Sequence, residues 1–158
     1  MTALAPGRRR IQVDVVIDAP PEAVWAAVTD WERQSEWMLG TTVRATDQGG
    51  VGVGGGIEAF TGAGRVGFLD TMVITDWDPP RLCVVEHTGR VVRGQGIFEV
   101  VPLPGGRSRF VWIEDLDLPL GAVGRAGWPL VRPAFAAGVR TSLRALGRAV
   151  EAEHAAGP

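Results

Sequence analysis

The sequence predicts an α+β fold in which a curved sheet wraps one long C-terminal helix. Three observations carry this reading. From Pro133 to about Glu153, the residues Phe135, Val139, Leu143, Leu146 and Val150 recur at spacings of four, four, three and four. An α-helix turns once every 3.6 residues, so these steps return to one face and make an apolar stripe. Before that stretch the chain reads mainly as short runs rich in Val, Ile, Thr and aromatic residues, bounded by Gly and Pro. That is the pattern of strands and turns. A helix of roughly 20 residues is about 30 Å long. A stripe of that length needs a broad apolar partner, and the strands are the partner on offer.

The totals set the frame. A chain of 158 residues is most simply one domain, and one of about 150 residues can bury roughly 70% of its unfolded surface without staples. The domain is expected over residues 11–155, after a flexible tail over 1–10. Net charge is −2, from sixteen basic and eighteen acidic residues, and that balance argues against a nucleic-acid footprint. Arg8, Arg9 and Arg10 read as part of a solvated tail. Met1 to Arg10 lacks the order of a signal peptide. No run approaches the roughly 18 apolar residues of a membrane span, so no integral membrane association is expected. The single cysteine, Cys83, cannot form an internal disulfide and fits a cytoplasmic location. Homodimerisation stays open.

Taken in order, Ile11 to Asp18 is Val- and Ile-rich and reads as a strand. Pro20-Pro21-Glu22 then begins a short helix, with Pro in the first turn and Glu22 at the positive end of the helix dipole. Val24, Trp25 and Val28 are its apolar face. Asp30 opens a second short helix, with Trp31 and Trp37 near its ends and Gly40 closing it. Thr41 to Thr46 is a short strand. Asp47 to Gly56 is glycine-dense, and Gly50, Gly52 and Gly55 spell GxGxxG. A dinucleotide loop must open a helix whose N-terminus meets the phosphates, whereas here a strand, Ile57 to Thr61, follows. Arg65 to Trp77 is a long strand, ended by Asp78-Pro79-Pro80. Leu82 to Thr88 and Val91 to Val101 form a hairpin around Gly89-Arg90. Ser108 to Leu118 is the last strand, and Leu118 to Gly127 leads to the closing helix. That helix starts at Pro133, because the residue before a proline is pushed away from α geometry. Gly138 and Gly147 each weaken it by roughly 1 kcal/mol against Ala, which suggests close approach of another surface.

One strand, two short helices, six strands and a long helix, with these residues, resemble the START/Bet v 1-like (SRPBCC) superfamily, in particular its polyketide cyclase/dehydrase-like branch. The carrying residues are Ile17-Asp18-Ala19-Pro20 running into Val24-Trp25 and Val28, then Asp30-Trp31 and Trp37. Asp76-Trp77-Asp78-Pro79-Pro80-Arg81, Gly105-Gly106 before Phe110-Val111-Trp112, and the apolar C-terminal helix follow. The resemblance covers roughly residues 11–153. It implies a helix-grip fold, in which a seven-stranded antiparallel sheet grips the helix and the gap between them holds an apolar ligand. Fold alone does not choose among the carriers, receptors and cyclases of that superfamily.

Alternate residues of a strand share a face. Arg109 and Asp115 prefer water, so Phe110, Trp112, Glu114 and Leu116 point inward, and by the same parity so do Phe98 and Val100. For Leu82 to His87 the hairpin loop length decides the face; a two-residue loop puts Cys83, Val85 and His87 inside. An inward Glu114 must be hydrogen-bonded, paired or protonated, because an unpaired buried carboxylate costs several kcal/mol. It is a structural pair, a polar anchor for a ligand, or a general acid or base. His87 is a structural histidine, a ligand contact or a catalytic partner of Glu114. Trp37 and Trp128 fall near the expected mouth, where packing and ligand contact are both open. Phe60, Phe135 and Val139 complete the candidate wall. Glu114, Asp115 and Asp117 are split between faces, so no metal site is expected, and no residue pattern calls for a cofactor.

The first functional expectation is a binding protein for an apolar or aromatic small molecule such as a lipid, quinone or polyketide-like compound. The second is a polyketide cyclase, aromatase or dehydratase in which Glu114 and His87 move protons. The third is a protein-interaction module working through its exposed surface.

Overall fold

The computed structural model describes residues 8–118 and 121–157. Seven strands form one antiparallel sheet: β1 (Arg8–Ile17), β2 (Thr41–Ala45), β3 (Gly56–Ala63), β4 (Val66–Asp78), β5 (Leu82–His87), β6 (Gly94–Leu103) and β7 (Arg107–Asp117). Their order across the sheet is β1-β7-β6-β5-β4-β3-β2. β2 to β7 follow one another as neighbours, and β1 pairs with β7 at the far edge. Between β1 and β2 lie helix α1 (Pro21–Val28) and a 3₁₀ helix, Trp31–Glu36. The sheet curls into a half-barrel around the C-terminal helix α2 (Gly121–Ala156). No described helix is long and apolar enough to cross a membrane.

The local chemistry explains the short elements. Pro20 stands at the N-cap of α1 in an extended conformation, and Val24, Trp25 and Val28 are buried. The glycine-dense link folds as a left-handed turn over Gln48, Gly49 and Gly50 before β3 begins. Gly50, at φ +67°, lets the Trp31 indole N–H donate to its carbonyl at 2.9 Å. A Cβ there would come within 2.6 Å of the indole nitrogen.

Three expectations need correction. First, Arg8 to Arg10 belong to β1 rather than to a free tail; the expected tail over 1–7 lies outside the described residues. Arg10 makes a two-pronged contact with Asp115, Nε to Oδ1 at 2.7 Å and Nη2 to Oδ2 at 2.6 Å. Arg8 reaches Asp117 at 3.1 Å. Cross-strand register places these opposite charges side by side, which is why the strand starts three residues early.

Second, α2 begins at Gly121, twelve residues before Pro133, and contains both Pro129 and Pro133. Each proline forfeits one intrahelical bond. Both stand in the exposed half of the helix, where Leu130 is 83% and Val131 57% exposed, so the orphaned carbonyls can be met by water. Third, the two helix glycines differ. A Cβ on Gly147 would touch Val15 and Ile17 of β1 at 3.7 and 3.8 Å, an ordinary packing contact. A Cβ on Gly138 would meet nothing within 4 Å, because that position borders open space.

The grip therefore sits in the C-terminal half of α2. Val139, Leu143, Leu146 and Val150 are buried, and Asp18 N–H donates to Glu151 at 3.0 Å from the end of β1. Leu146→Ala should cost about 2–5 kcal/mol by removing a fully buried side chain. Val123→Ala, in the half that stands in solvent, should change stability by less than about 0.5 kcal/mol. Urea unfolding midpoints of the two variants test this; equal losses would contradict the one-ended grip.

Candidate functional site

Between the open half of α2 and the concave face of the sheet lies a cavity of about 340 Å³. Ala134, Phe135, Gly138, Val139 and Ser142 of α2 form one wall. The sheet supplies the other from β2 to β7, mostly with alternating positions, as the pleat requires. Ile57, Ala59 and Thr61 come from β3, and Phe68, Asp70 and Met72 from β4. Cys83, Val85 and His87 come from β5, Phe98 from β6, and Trp112, Glu114 and Leu116 from β7. Apart from the neutral Gln34, Thr41, Thr61 and Ser142, the described wall is apolar except for one charged cluster.

That cluster is Asp70, His87 and Glu114, each less than 10% exposed. His87 Nδ1 lies 2.8 Å from Asp70 Oδ2 and 3.0 Å from Oδ1. Its Nε2 lies 3.1 Å from Glu114 Oε2. The Trp112 indole N–H donates to Glu114 Oε1 at 2.7 Å. His87 and Glu114 stand on β5 and β7, with β6 between them. They meet because β6 offers Gly96 at that point, opposite both Val85 and Glu114. A Cβ on Gly96 would come to 3.3 Å from Glu114 Oε1 and 3.4 Å from His87 Nε2. The glycine leaves the window through which the pair forms.

The face of β5 follows from loop parity. The hairpin loop is longer than two residues, since His87 pairs with Gly94, but its length is still even. Cys83, Val85 and His87 consequently point inward, as a two-residue loop would also have placed them. Cys83 is buried, and burial, aided by the charge of Asp76, pushes its thiol up to about 12. It stays a thiol at neutral pH and is no nucleophile.

Of the ten expected wall residues, His87, Phe98, Trp112, Glu114, Phe135 and Val139 line the cavity. Phe110 is fully buried behind it, edge-on to Phe98 at 5.1 Å. Trp37 is buried edge-on to Trp112 at 6.3 Å, so both buttress the wall from outside the lining. Trp128 packs partly buried against the core and also lies off the lining. Phe60 is a correction: it pairs with Thr42 and Leu69 and points to the opposite face from Ile57, Ala59 and Thr61. Asp70 went unremarked in the sequence, although it is the one acid in the alternating row Phe68, Asp70, Met72, Ile74. Gln34 also escaped notice. It is buried, lines the cavity, and donates to the Val28 carbonyl at 2.8 Å.

Burial works against a charged imidazole at His87, but the hydrogen bonds and charges of Asp70 and Glu114 outweigh it and push its pKa up to about 10. Both ring nitrogens then donate, one to each carboxylate. A chain of donor and acceptor groups facing an apolar cavity can hold a polar ligand atom, or pass a proton to it.

A family model described as polyketide cyclase/dehydrase and lipid transport matches residues 8–151. The chain belongs to that family. Its fold is similar to that of the ZhuI aromatase/cyclase from a Streptomyces species, at TM-score 0.78 and 17% identity over 95% of this chain and 98% of that one. It is similar to TTHA0849 from Thermus thermophilus at TM-score 0.76 and 18% identity, over 95% and 100% of the two chains. The di-domain ARO/CYC BexL gives TM-score 0.67 at 18% identity, over 95% of this chain and 48% of that one. No curated protein matches the sequence at a significant level.

The raised pKa makes a pH prediction. In the unfolded chain His87 protonates near 6.5, and in the folded one near about 10. The folded state binds the extra proton between those values, so its stabilising effect is complete below about 6.5 and is lost as pH rises through about 10. Urea midpoints of the wild type should fall over that window relative to His87→Gln. Parallel pH profiles for the two proteins would contradict the charged cluster.

Proposed function

We propose that this member of the polyketide cyclase/dehydrase and lipid transport family binds an apolar or aromatic small molecule, such as a lipid, quinone or polyketide-like compound, inside the cavity. The observation that carries the reading is an apolar cavity with a single charged cluster on its wall. Such a site buries most of a small guest and fixes its orientation with few polar groups. Phe98, Trp112, Phe135 and Val139 would take the flat apolar body, since rigid aromatic walls bury much area at small entropy cost. Glu114 and Asp70, held by His87, would take the polar end. A cytoplasmic location suits the lone buried thiol.

Gly138→Leu tests this reading with little damage to the fold. Leu favours a helix over Gly by roughly 0.5–1 kcal/mol, and its side chain would enter the space that Gly138 leaves free. The variant should keep or raise the melting temperature of the empty protein. It should bind an apolar aromatic probe about tenfold or more weakly, because the cavity is obstructed. Unchanged probe affinity in calorimetry would count against the cavity as the binding site.

One observation favours a second reading, cyclisation or dehydration of a poly-ketone. A histidine held between two carboxylates beside a substrate-sized space has the parts of an acid–base device. Glu114→Gln removes the group that would exchange its proton with the substrate. Turnover of a polyketide-type substrate should then fall about a hundredfold or more. Turnover that survives the change would remove Glu114 as proton carrier. A filled interior together with a contiguous exposed apolar patch would favour the interaction-module reading; the cavity of about 340 Å³ supports ligand binding instead.

A further inference from the structure

We infer that the guest meets the polar end of the cavity through a hydrogen-bond donor, a hydroxyl or an amine, and that a carboxylate head is refused. This rests on the ligand-binding reading above and gives it a chemical sense.

The donors of the cluster are already used. Both nitrogens of His87 face carboxylate oxygens at 2.8 and 3.1 Å, and the Trp112 indole N–H is given to Glu114. The other polar side chains on the wall are neutral: Gln34 donates to the Val28 carbonyl, Thr41 shares a hydrogen bond with Thr61, and Ser142 Oγ accepts from the Leu39 N–H, so what they leave over is a neutral hydroxyl or amide hydrogen and no cation. Acceptors are in surplus. Each carboxylate oxygen carries two lone pairs, and the four oxygens of Asp70 and Glu114 share only His87 and Trp112 as donors.

The charge points the same way. All sixteen basic residues of the chain are arginine, and none is among the described residues lining the cavity. Asp70, His87 and Glu114 keep one net negative charge wherever their shared proton resides. If it is on His87, one cation faces two carboxylates. If it is on Glu114, a neutral pair stands beside Asp70. An incoming carboxylate would bring a like charge into a water-poor site that has no cation left to receive it. A hydroxyl or ammonium hydrogen would instead find free lone pairs at the end of an apolar slot.

The test is a titration of the full chain at neutral pH, followed by heteronuclear NMR, with four naphthalenes of nearly equal size: naphthol, naphthylmethylamine, naphthoate and methylnaphthalene. Naphthol and naphthylmethylamine should bind about tenfold or more tightly than naphthoate. Glu114→Gln and Asp70→Asn should each narrow that gap. Naphthoate binding within about threefold of naphthol, or more tightly, overturns the inference and leaves the ligand-binding reading in place. A gap that persists unchanged in both variants also overturns it, since the discrimination then comes from elsewhere. If no compound binds, methylnaphthalene included, both the inference and the reading it rests on fail.

Discussion

The one-ended grip of α2 is the constraint from which the rest follows. Leu143, Leu146 and Val150 are pinned against β1 and its surroundings, and Gly147 faces Val15 and Ile17 of β1 across a gap that a Cβ would just fill. Half a helix held this firmly can carry the other half away from the sheet without unfolding it. The curl of the strands then turns the separation into a cavity rather than a solvent cleft. Interiors otherwise pack to near-crystalline density, so a space of about 340 Å³ in a domain of this size is the feature on which the proposed binding role rests. Gly138 borders it and Gly147 does not, which is the same asymmetry seen along the helix.

The polar cluster depends on a second, finer constraint. Three strands cooperate, and the middle one must give way. A Cβ at position 96 would crowd Val85 at 3.0 Å as well as Glu114 and His87, and would make these neighbours give by a few tenths of an ångström at the point where the charged pair forms. The pairs Cys83–Phe98 and Phe98–Trp112 flank that window. Phe98 stacks on Trp31 and meets Phe110 and Trp112 edge-on, which stiffens the wall around the window. Rigid apolar surroundings hold the polar groups at their spacing, so the guest of the proposed reading would meet a preformed arrangement.

Much of this was legible in the residues because strands and helices have fixed periods. The stripe from Phe135 to Val150 announced the closing helix, and the charged Arg109 and Asp115 told the two faces of β7 apart, although Asp115 is buried against Arg10 rather than in water. The same parity placed Phe98, Trp112 and Glu114 on the cavity side. The start of α2 was not legible, since Pro129 and Pro133 carry the signature of a boundary and only solvent exposure lets a helix run through them. The role of Arg8 and Arg10 was hidden too, because their acid partners lie more than a hundred residues away in β7. Asp70 was missed for a related reason. A β-bulge between Ile74 and Asp76 shifts the register of β4, so Asp70 and Trp77 can both face the interior, and no period-2 count along the whole strand reveals that.

The most direct measurement is a crystal structure of the protein purified gently from its host, with any co-purifying small molecule retained. Density should fill the space between Phe98, Trp112, Phe135 and Val139, with a polar atom in hydrogen-bond reach of Glu114 or Asp70. An interior closed by inward movement of α2, with Phe135 packed onto Phe98 and no volume left between them, would contradict a binding role for this cavity.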